Sequence, residues 1–180
     1  MKYKVIYADP PWPYNDKMSG HSFSLDHEYK TMTLNDILAL GGGVKEVSDK
    51  DCVLFLWATS PNLPMAFRTI EAWGFKYKTV AFIWSKRTKH GKEVANLGRW
   101  TMGNVEMVLL ATRGSPKRQA KNVRQFFIAE RTRHSAKPHE VYEKIVRLMG
   151  EVPRLEMFAR NEMTGWDAFG DEVKNSITLG

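Results

Sequence analysis

The first residues with chemistry to offer stand almost at the beginning of the chain. Asp9-Pro10-Pro11-Trp12 follows an apolar run, Val5-Ile6-Tyr7-Ala8, that reads as a β-strand. An α/β fold gathers its ligands at the C-terminal tips of its strands. Proline fixes φ, has no backbone N–H and restricts the residue before it. The turn is therefore stiff, and no prolyl donor occupies its carbonyls. Asp9 and one such carbonyl can accept both hydrogens of an exocyclic amino group while Trp12 stacks on the ring that carries it. That is a device for holding a planar base by its NH2. The plainer reading is a Pro-rich turn with a core tryptophan. An acid in front, an aromatic behind and a strand leading in favour the device.

The amino group of adenine is a poor nucleophile because its lone pair is delocalised into the ring. An enzyme that alkylates it must hold both N–H bonds and align the nitrogen with an electrophilic carbon. A carboxylate bonded to the amine gains strength as positive charge develops there, and alignment supplies most of the acceleration.

A second group of residues lies far along the chain. Ser135-Ala136-Lys137-Pro138 reads as the opening of a helix, and Glu156 and Phe158 stand near the end of a late strand, followed by Arg160 and by Gly170-Asp171-Glu172. A methyl-donating nucleoside with an amino-acid tail needs a cation for its carboxylate, acceptors for its ribose hydroxyls and an apolar wall for its base. Lys137 at a helix N-terminus fits the carboxylate. Asp171 and Glu172 fit the hydroxyls, and Phe158 the wall. Ordinary structural roles are the alternative for each.

Basic loops form a third group, with Lys86, Arg87, Lys89 and Arg99 in one and Arg131, Arg133 and His134 in the other. In a chain of net charge +7 with six tryptophans, phosphate contact is favoured over a merely solvated surface. Tyr14 and the polar segment 15–30 are expected to close over the bound base.

The elements that must position these groups follow from the hydrophobic pattern. At 180 residues the chain is most simply one domain, spanning 1–173 with a polar tail at 174–180. Thr33 opens a short helix with capping-box-like spacing, and the glycine run Gly41-Gly42-Gly43 reads as its stop. Val53–Trp57 is a strand apolar on both faces. Ser60-Pro61 starts a helix with Leu63, Ala66, Phe67 and Ile70 on one face. Strands are expected at 80–84, 106–112, 126–128 and 154–158, and a helix from Pro138 to Met149 that turns Val141, Ile145 and Leu148 inward. The alternation predicts one α/β domain, a largely parallel sheet with helices on both faces. Cys52 is the single cysteine and reads as core. The five histidines show no ligand spacing, so no metal is expected. No signal segment or membrane-length apolar run is visible, and the expected setting is cytoplasmic.

Taken together these residues resemble the MT-A-seventy family of S-adenosylmethionine-dependent adenine N-6 methyltransferases. The resemblance is carried by Asp9-Pro10-Pro11-Trp12, Tyr29-Lys30-Thr31-Met32, Phe55-Leu56-Trp57, Trp73-Gly74-Phe75, His134-Ser135-Ala136-Lys137-Pro138 and Leu155-Glu156-Met157-Phe158-Ala159-Arg160. It implies a Rossmann-like methyltransferase fold in permuted order, with the catalytic strand early and the donor-binding strand late. It implies Asp9, Pro10, Pro11 and Trp12 as the catalytic motif. Asp9 and Pro10 would also touch the donor, beside Ser135, Lys137, Glu156, Phe158, Arg160, Asp171 and Glu172. S-adenosyl-L-methionine is the implied methyl donor. DNA is the implied partner, as for the compact bacterial and phage members, with RNA as the alternative. The family's habit of pairing implies a homodimer through the basic loop around residues 86–105. One departure stands out: compact relatives commonly carry Trp-Gly-Asn-Glu where this chain has Phe169-Gly170-Asp171-Glu172, and Asp171 cannot donate an amide hydrogen. Rival readings are methylation of the cytosine amine, a silent nucleic-acid-binding subunit, and a protein methyltransferase acting on a side-chain amide.

Overall fold

The computed structural model describes residues 1–13, 31–97, 100–131 and 136–179. Strand β1 (Tyr3–Ala8) runs directly into the Asp9 turn. Helix α1 (Leu34–Ala39) begins where expected, with the Thr33 hydroxyl accepting the Asp36 N–H at 3.2 Å. The glycine run behaves differently from the expected stop. Gly41–Val47 forms a second helix, α2, and Leu40 serves as the junction between the two. Packing accounts for this. A Cβ on Gly41 would lie 2.6 Å from the Ala72 carbonyl oxygen and 3.2 Å from the Trp73 ring. Bare backbone lets α2 seat on the end of the next helix, and that contact outweighs glycine's poor helix propensity.

Strand β2 (Ser48–Ala58) is followed by a 3-10 turn at Ser60–Asn62 and by helix α3 (Leu63–Ala72). Ala66 and Ile70 of α3 are buried as expected, whereas Phe67 is 42% exposed and packs edge-on against Tyr77. Strands β3 (Lys76–Arg87), β4 (Val105–Arg113) and β5 (Phe126–Glu130) precede helix α4 (Glu140–Met149). Strand β6 (Arg154–Met157) and a short β7 (Asp167–Phe169), not anticipated from the sequence, complete the order.

The sheet runs β5-β3-β4-β2-β1-β6-β7. All its pairings are parallel except the two made by β4. Alternation along the central strands builds a core on each face. Ile6, Ala8, Leu54 and Leu56 meet Ile37, Val44, Ala66 and Ile70 of α1, α2 and α3. On the other face, Val5, Tyr7, Phe55 and Trp57 meet Val141, Ile145 and Met149 of α4. This is the α/β, Rossmann-like architecture expected, largely parallel and helix-covered on both faces, with the Asp9 strand first and the Glu156 strand late.

Two consequences position the site. The chain leaves β1 toward β2 on one side and returns to it through β6 on the other, so the strand order switches beside Asp9. Ligands of open α/β sheets bind in such a crevice. Because β4 runs against its neighbours, its first residues lie at the edge where β2 and β3 end: Met107 pairs with Ala58, and Glu106 with Trp84.

Residues 174–179, expected as a polar tail, lie along β7. Ser176 N–H donates to the Ala168 carbonyl, and Asn175 accepts the Gly170 N–H. Ile177 and Leu179 pack on the core, so the edge strand is covered. Among the described residues, no helix is long and apolar enough to cross a membrane.

Candidate active site at the β1–β6 junction

Asp9 leaves the tip of β1 with its side chain about three-quarters buried, and Lys137 meets it from the segment leading into α4. Lys137 Nζ lies 3.0 Å from Asp9 Oδ2 and 3.1 Å from Glu106 Oε2. The other Glu106 oxygen pairs with Lys86 at the end of β3. The four charges therefore alternate in sign, Asp9, Lys137, Glu106, Lys86. They rest on an aromatic floor, with Lys137 Nζ 5.0 Å from the centre of the Trp57 ring and Lys86 Nζ 5.2 Å from that of Trp84. Indole faces are electron-rich and complement ammonium groups.

Burial penalises the charges of Asp9, Lys137 and Glu106, and their pairing decides the outcome. Burial would raise Glu106, but the ammonium groups of Lys137 and Lys86 outweigh it and hold its carboxyl below the usual value. Burial would lower Lys137, but Asp9 and Glu106 hold its ammonium above the usual value. At Asp9 burial wins: the carboxyl is raised despite Lys137, with Glu106 adding repulsion and Arg160 opposing it. Asp9 is thus the carboxylate of the set whose charged form burial disfavours despite its pairing.

The turn itself is braced. Trp12 N–H donates to the Pro10 carbonyl at 2.8 Å, and Met32 N–H to the Pro11 carbonyl at 3.0 Å. Both prolyl carbonyls therefore already accept one bond, and each keeps a second lone pair. Trp12 is nine-tenths buried, and its indole N–H donates to the Trp57 carbonyl at 3.1 Å. The expectation of an open stacking face at Trp12 is corrected here: the ring is a core strut that fixes the turn on β2.

Across the switch point stand the tips of β6 and β7. Glu156 is nine-tenths buried, with its Oε1 accepting the Tyr142 hydroxyl at 2.7 Å. Its Oε2 is buried with no hydrogen-bond partner among the described residues. Burial pushes this carboxyl up to about 7, with the Tyr142 hydrogen bond opposing and Asp9 assisting. Tyr7, whose hydroxyl accepts the Trp57 indole N–H at 2.6 Å, and Trp166 pack edge-on around Tyr142. Phe158 then adopts φ 61°, a strained backbone for a bulky residue, and its ring stacks on Trp73. The turn it makes brings Ala159 against the end of β7, where a Cβ on Gly170 would lie 2.2 Å from the Ala159 carbonyl oxygen. Arg160 follows, 3.9 Å from Glu172. Asp171 and Glu172 are exposed on the β7 tip.

The structure thus brings Asp9, Pro10, Pro11, Lys137, Glu156, Phe158, Arg160, Asp171 and Glu172 to one edge of the sheet. The basic residues divide. Lys86 is buried against Glu106, so its expected place on phosphate is corrected: it belongs to the charge chain. Arg87 is turned to Glu93, while Lys89 and Arg131 are exposed. Tyr14, Arg99, Arg133, His134 and Ser135 lie outside the described residues, as does the 15–30 segment. The sequence reading missed Glu106, Trp57, Tyr7 and Tyr142. An acid opening an otherwise apolar strand was the available signal for Glu106, and its meaning depends on the strand's direction. Among the described residues no cluster of His, Cys, Asp and Glu has the makings of a metal site.

The MT-A70 family model matches residues 3–172. The chain belongs to the MT-A70 family. It is 36% identical to the type II methyltransferase M.MunI of Mycoplasma sp, over 97% of this chain and 79% of that protein. It is 26% identical to an N(6)-adenosine-methyltransferase MT-A70-like protein of Arabidopsis thaliana, over 97% of this chain but 24% of the relative. The zebrafish N(6)-adenosine-methyltransferase subunit METTL3 is 25% identical over 96% of this chain and 28% of its own length. The chain therefore spans most of the bacterial relative and about a quarter of the two eukaryotic ones. Its α/β fold is consistent with that of this family of adenine N-6 methyltransferases.

Proposed function

We propose that this MT-A70 protein transfers a methyl group from S-adenosylmethionine to the N-6 amine of adenine in DNA. The observation that carries the reading is the pairing of Asp9 with Lys137 at the strand switch point. A carboxylate raised by burial is held there by one oxygen, at the mouth of the crevice. Lys137 takes Oδ2, and Oδ1, with no ion pair among the described residues, would accept an amine hydrogen. The second lone pair of a prolyl carbonyl accepts the other. Held so, the nitrogen keeps its lone pair free for the incoming carbon. When positive charge develops on it, Asp9 stabilises that charge and accepts the released proton. Trp12 and the Met32 bond keep the turn rigid, so the alignment is set before the base arrives.

The donor supplies a methyl group on a sulfonium centre. Residues on this chain suit it. Glu156 Oε2, unpartnered among the described residues, is an acceptor for an ammonium group, with the Tyr7, Tyr142 and Trp166 rings nearby. Arg160 and Lys137 are cations for a carboxylate, Asp171 and Glu172 are acceptors for hydroxyls, and Phe158 is an apolar wall. DNA is favoured by the bacterial relative, whose similarity extends over most of both chains and whose name is that of a type II methyltransferase.

The test is methylation of unmethylated DNA and of RNA in parallel with labelled donor, followed by digestion and mass spectrometry of the nucleosides. N-6-methyladenine in DNA, absent with Asp9→Ala, is the expected result. Product in RNA alone would move the substrate. Donor binding with no product on either acceptor would sink the catalytic reading.

A further inference from the structure

Among the described residues, the stretch that follows β3 and the stretch that precedes β4 lie against each other as an arm. Antiparallel bridges link Arg87 with Glu93 and Asn96 with Gly103, and Asn96 and Gly103 exchange both backbone hydrogen bonds. The arm ends in apolar side chains that the fold leaves uncovered: Leu97 is 93% exposed, Met102 60%, and Trp100 98%. Elsewhere the tryptophans at 12, 57, 73 and 84 are buried in the core. A large aromatic ring left entirely in water marks a contact surface rather than packing. Lys89, His90 and Lys92 are exposed along the same arm, whose one acid, Glu93, is already bonded to Arg87 and Asn104.

The base of the arm is the active site. Its two roots carry Lys86 and Glu106, the outer half of the charge chain that ends on Asp9. Five residues separate Glu106 from Trp100, so their Cα atoms stand within about 20 Å of each other even with the chain fully extended, about the width of a nucleic-acid duplex. An adenine amine inside a duplex is out of reach, and the base must leave its stack before methylation. Apolar side chains inserted between base steps open such a stack, and aromatic rings substitute for the lost stacking partner. We propose that Trp100 is the wedge that enters the DNA duplex beside the target adenine, with Lys89 and Lys92 on the flanking phosphates. A second copy of this chain would present the same cations to this arm. A polyanion with stackable bases complements both its charge and its ring. The inference rests on the nucleic-acid reading above and assigns to it a duplex-opening residue.

The experiment uses the full chain and the adenine site mapped on DNA by mass spectrometry. Wild type, Trp100→Ala and Trp100→Phe are compared on a short duplex containing that site, on the same duplex with an abasic position opposite the adenine, and on the single strand. Sedimentation reports the oligomeric state of each. Trp100→Ala should lose about ten- to hundredfold in kcat/KM on the intact duplex relative to the two pre-opened substrates, and Trp100→Phe should recover most of it. With 2-aminopurine at the target, the fluorescence rise on binding should fall in the alanine variant. Equal losses on all three substrates, no loss on the duplex, or a loss that tracks a change in oligomeric state would overturn the wedge, the last assigning the tip to pairing between copies. Wild type active only on the single strand would also overturn it. Wild type inactive on every nucleic acid would fail the underlying reading as well, which separates the two failures.

Discussion

Lys137 Nζ stands 3.0 Å from Asp9 Oδ2, joining the first strand's tip to the segment before the last helix. The contact is not a simple neutralisation, because Lys137 is shared with Glu106 and the Asp9 carboxyl remains raised. A raised acid is one whose charged form the fold disfavours relative to the unfolded chain. Stability is then fully present below the unfolded value and is lost as pH rises through the folded one. Asp9 is therefore retained at a cost in stability, as groups serving chemistry often are.

Asp9→Asn tests that directly. The substitution keeps the shape and removes the charge, and Lys137 retains Glu106. Methyl transfer should fall by at least about a hundredfold, a loss of the size seen for positioned acid–base groups. At pH 8 the thermal midpoint should stay level or rise. An inactive variant melting several degrees lower would mean that Asp9 is structural.

Glu106 governs where Lys137 points. It is 15% exposed on its side chain and faces two ammonium groups. Glu106→Ala leaves Lys137 and Lys86 with one fewer anion in a poorly solvated place. Breaking such a buried pair costs about 3–5 kcal/mol. Glu106→Gln keeps the shape and lets the catalytic share be read separately. For it we expect kcat to drop by about ten- to a hundredfold, since small misplacements of a reacting group cost that much. Donor affinity by calorimetry should change far less. A glutamine variant with kcat within twofold of wild type would remove Glu106 from the mechanism.

The Asp9 turn is legible in the sequence because it depends on local features: an apolar strand, two fixed φ angles and flanking side chains. The two core faces are legible for the same reason, through alternation in β1 and β2. Glu106 is not. Its place at the active edge exists because β4 runs antiparallel, and strand direction is a property of the whole sheet. Lys86 misleads for a related reason. It belongs to a basic stretch, but β3 continues through it and buries its head against Glu106. Trp12 misleads because a strap of backbone, Trp57 and Met32, closes over a turn that local chemistry alone leaves open.

Adjacent glycines of α2 should respond with opposite sign. A Cβ on Gly41 would press 2.6 Å from the Ala72 carbonyl oxygen, a backbone atom that cannot swing away. Gly41→Ala should destabilise by about 1–3 kcal/mol, as overpacking does. A Cβ on Gly42 meets nothing within 4 Å. Gly42→Ala should stabilise by about 0.5–1 kcal/mol through helix propensity. Denaturant midpoints measure both, and a stabilising Gly41→Ala would mean that α2 does not seat on α3 as described.

Glu156 should give the protein a pH-dependent stability that the donor can remove. Burial raises its carboxyl from the ordinary 4.5 to about 7, although Tyr142 donates a hydrogen bond to it. Between those values the unfolded chain releases the proton and the folded one keeps it. Stability is thus full below about 4.5, falls as pH climbs toward 7 and levels off above, by roughly 3 kcal/mol in all. Glu156→Gln cancels the effect. Its thermal midpoint should match wild type near pH 4.5 and exceed it by roughly 5–10 °C near pH 8. Tyr142→Phe removes the bond that lowers the carboxyl, so the fall should extend to higher pH. S-adenosylmethionine, whose ammonium would meet Oε2, should restore the charged form and flatten the wild-type curve while leaving the glutamine variant's pH slope unchanged. A wild-type and glutamine difference that is constant across this range would show that Glu156 does not titrate in the fold.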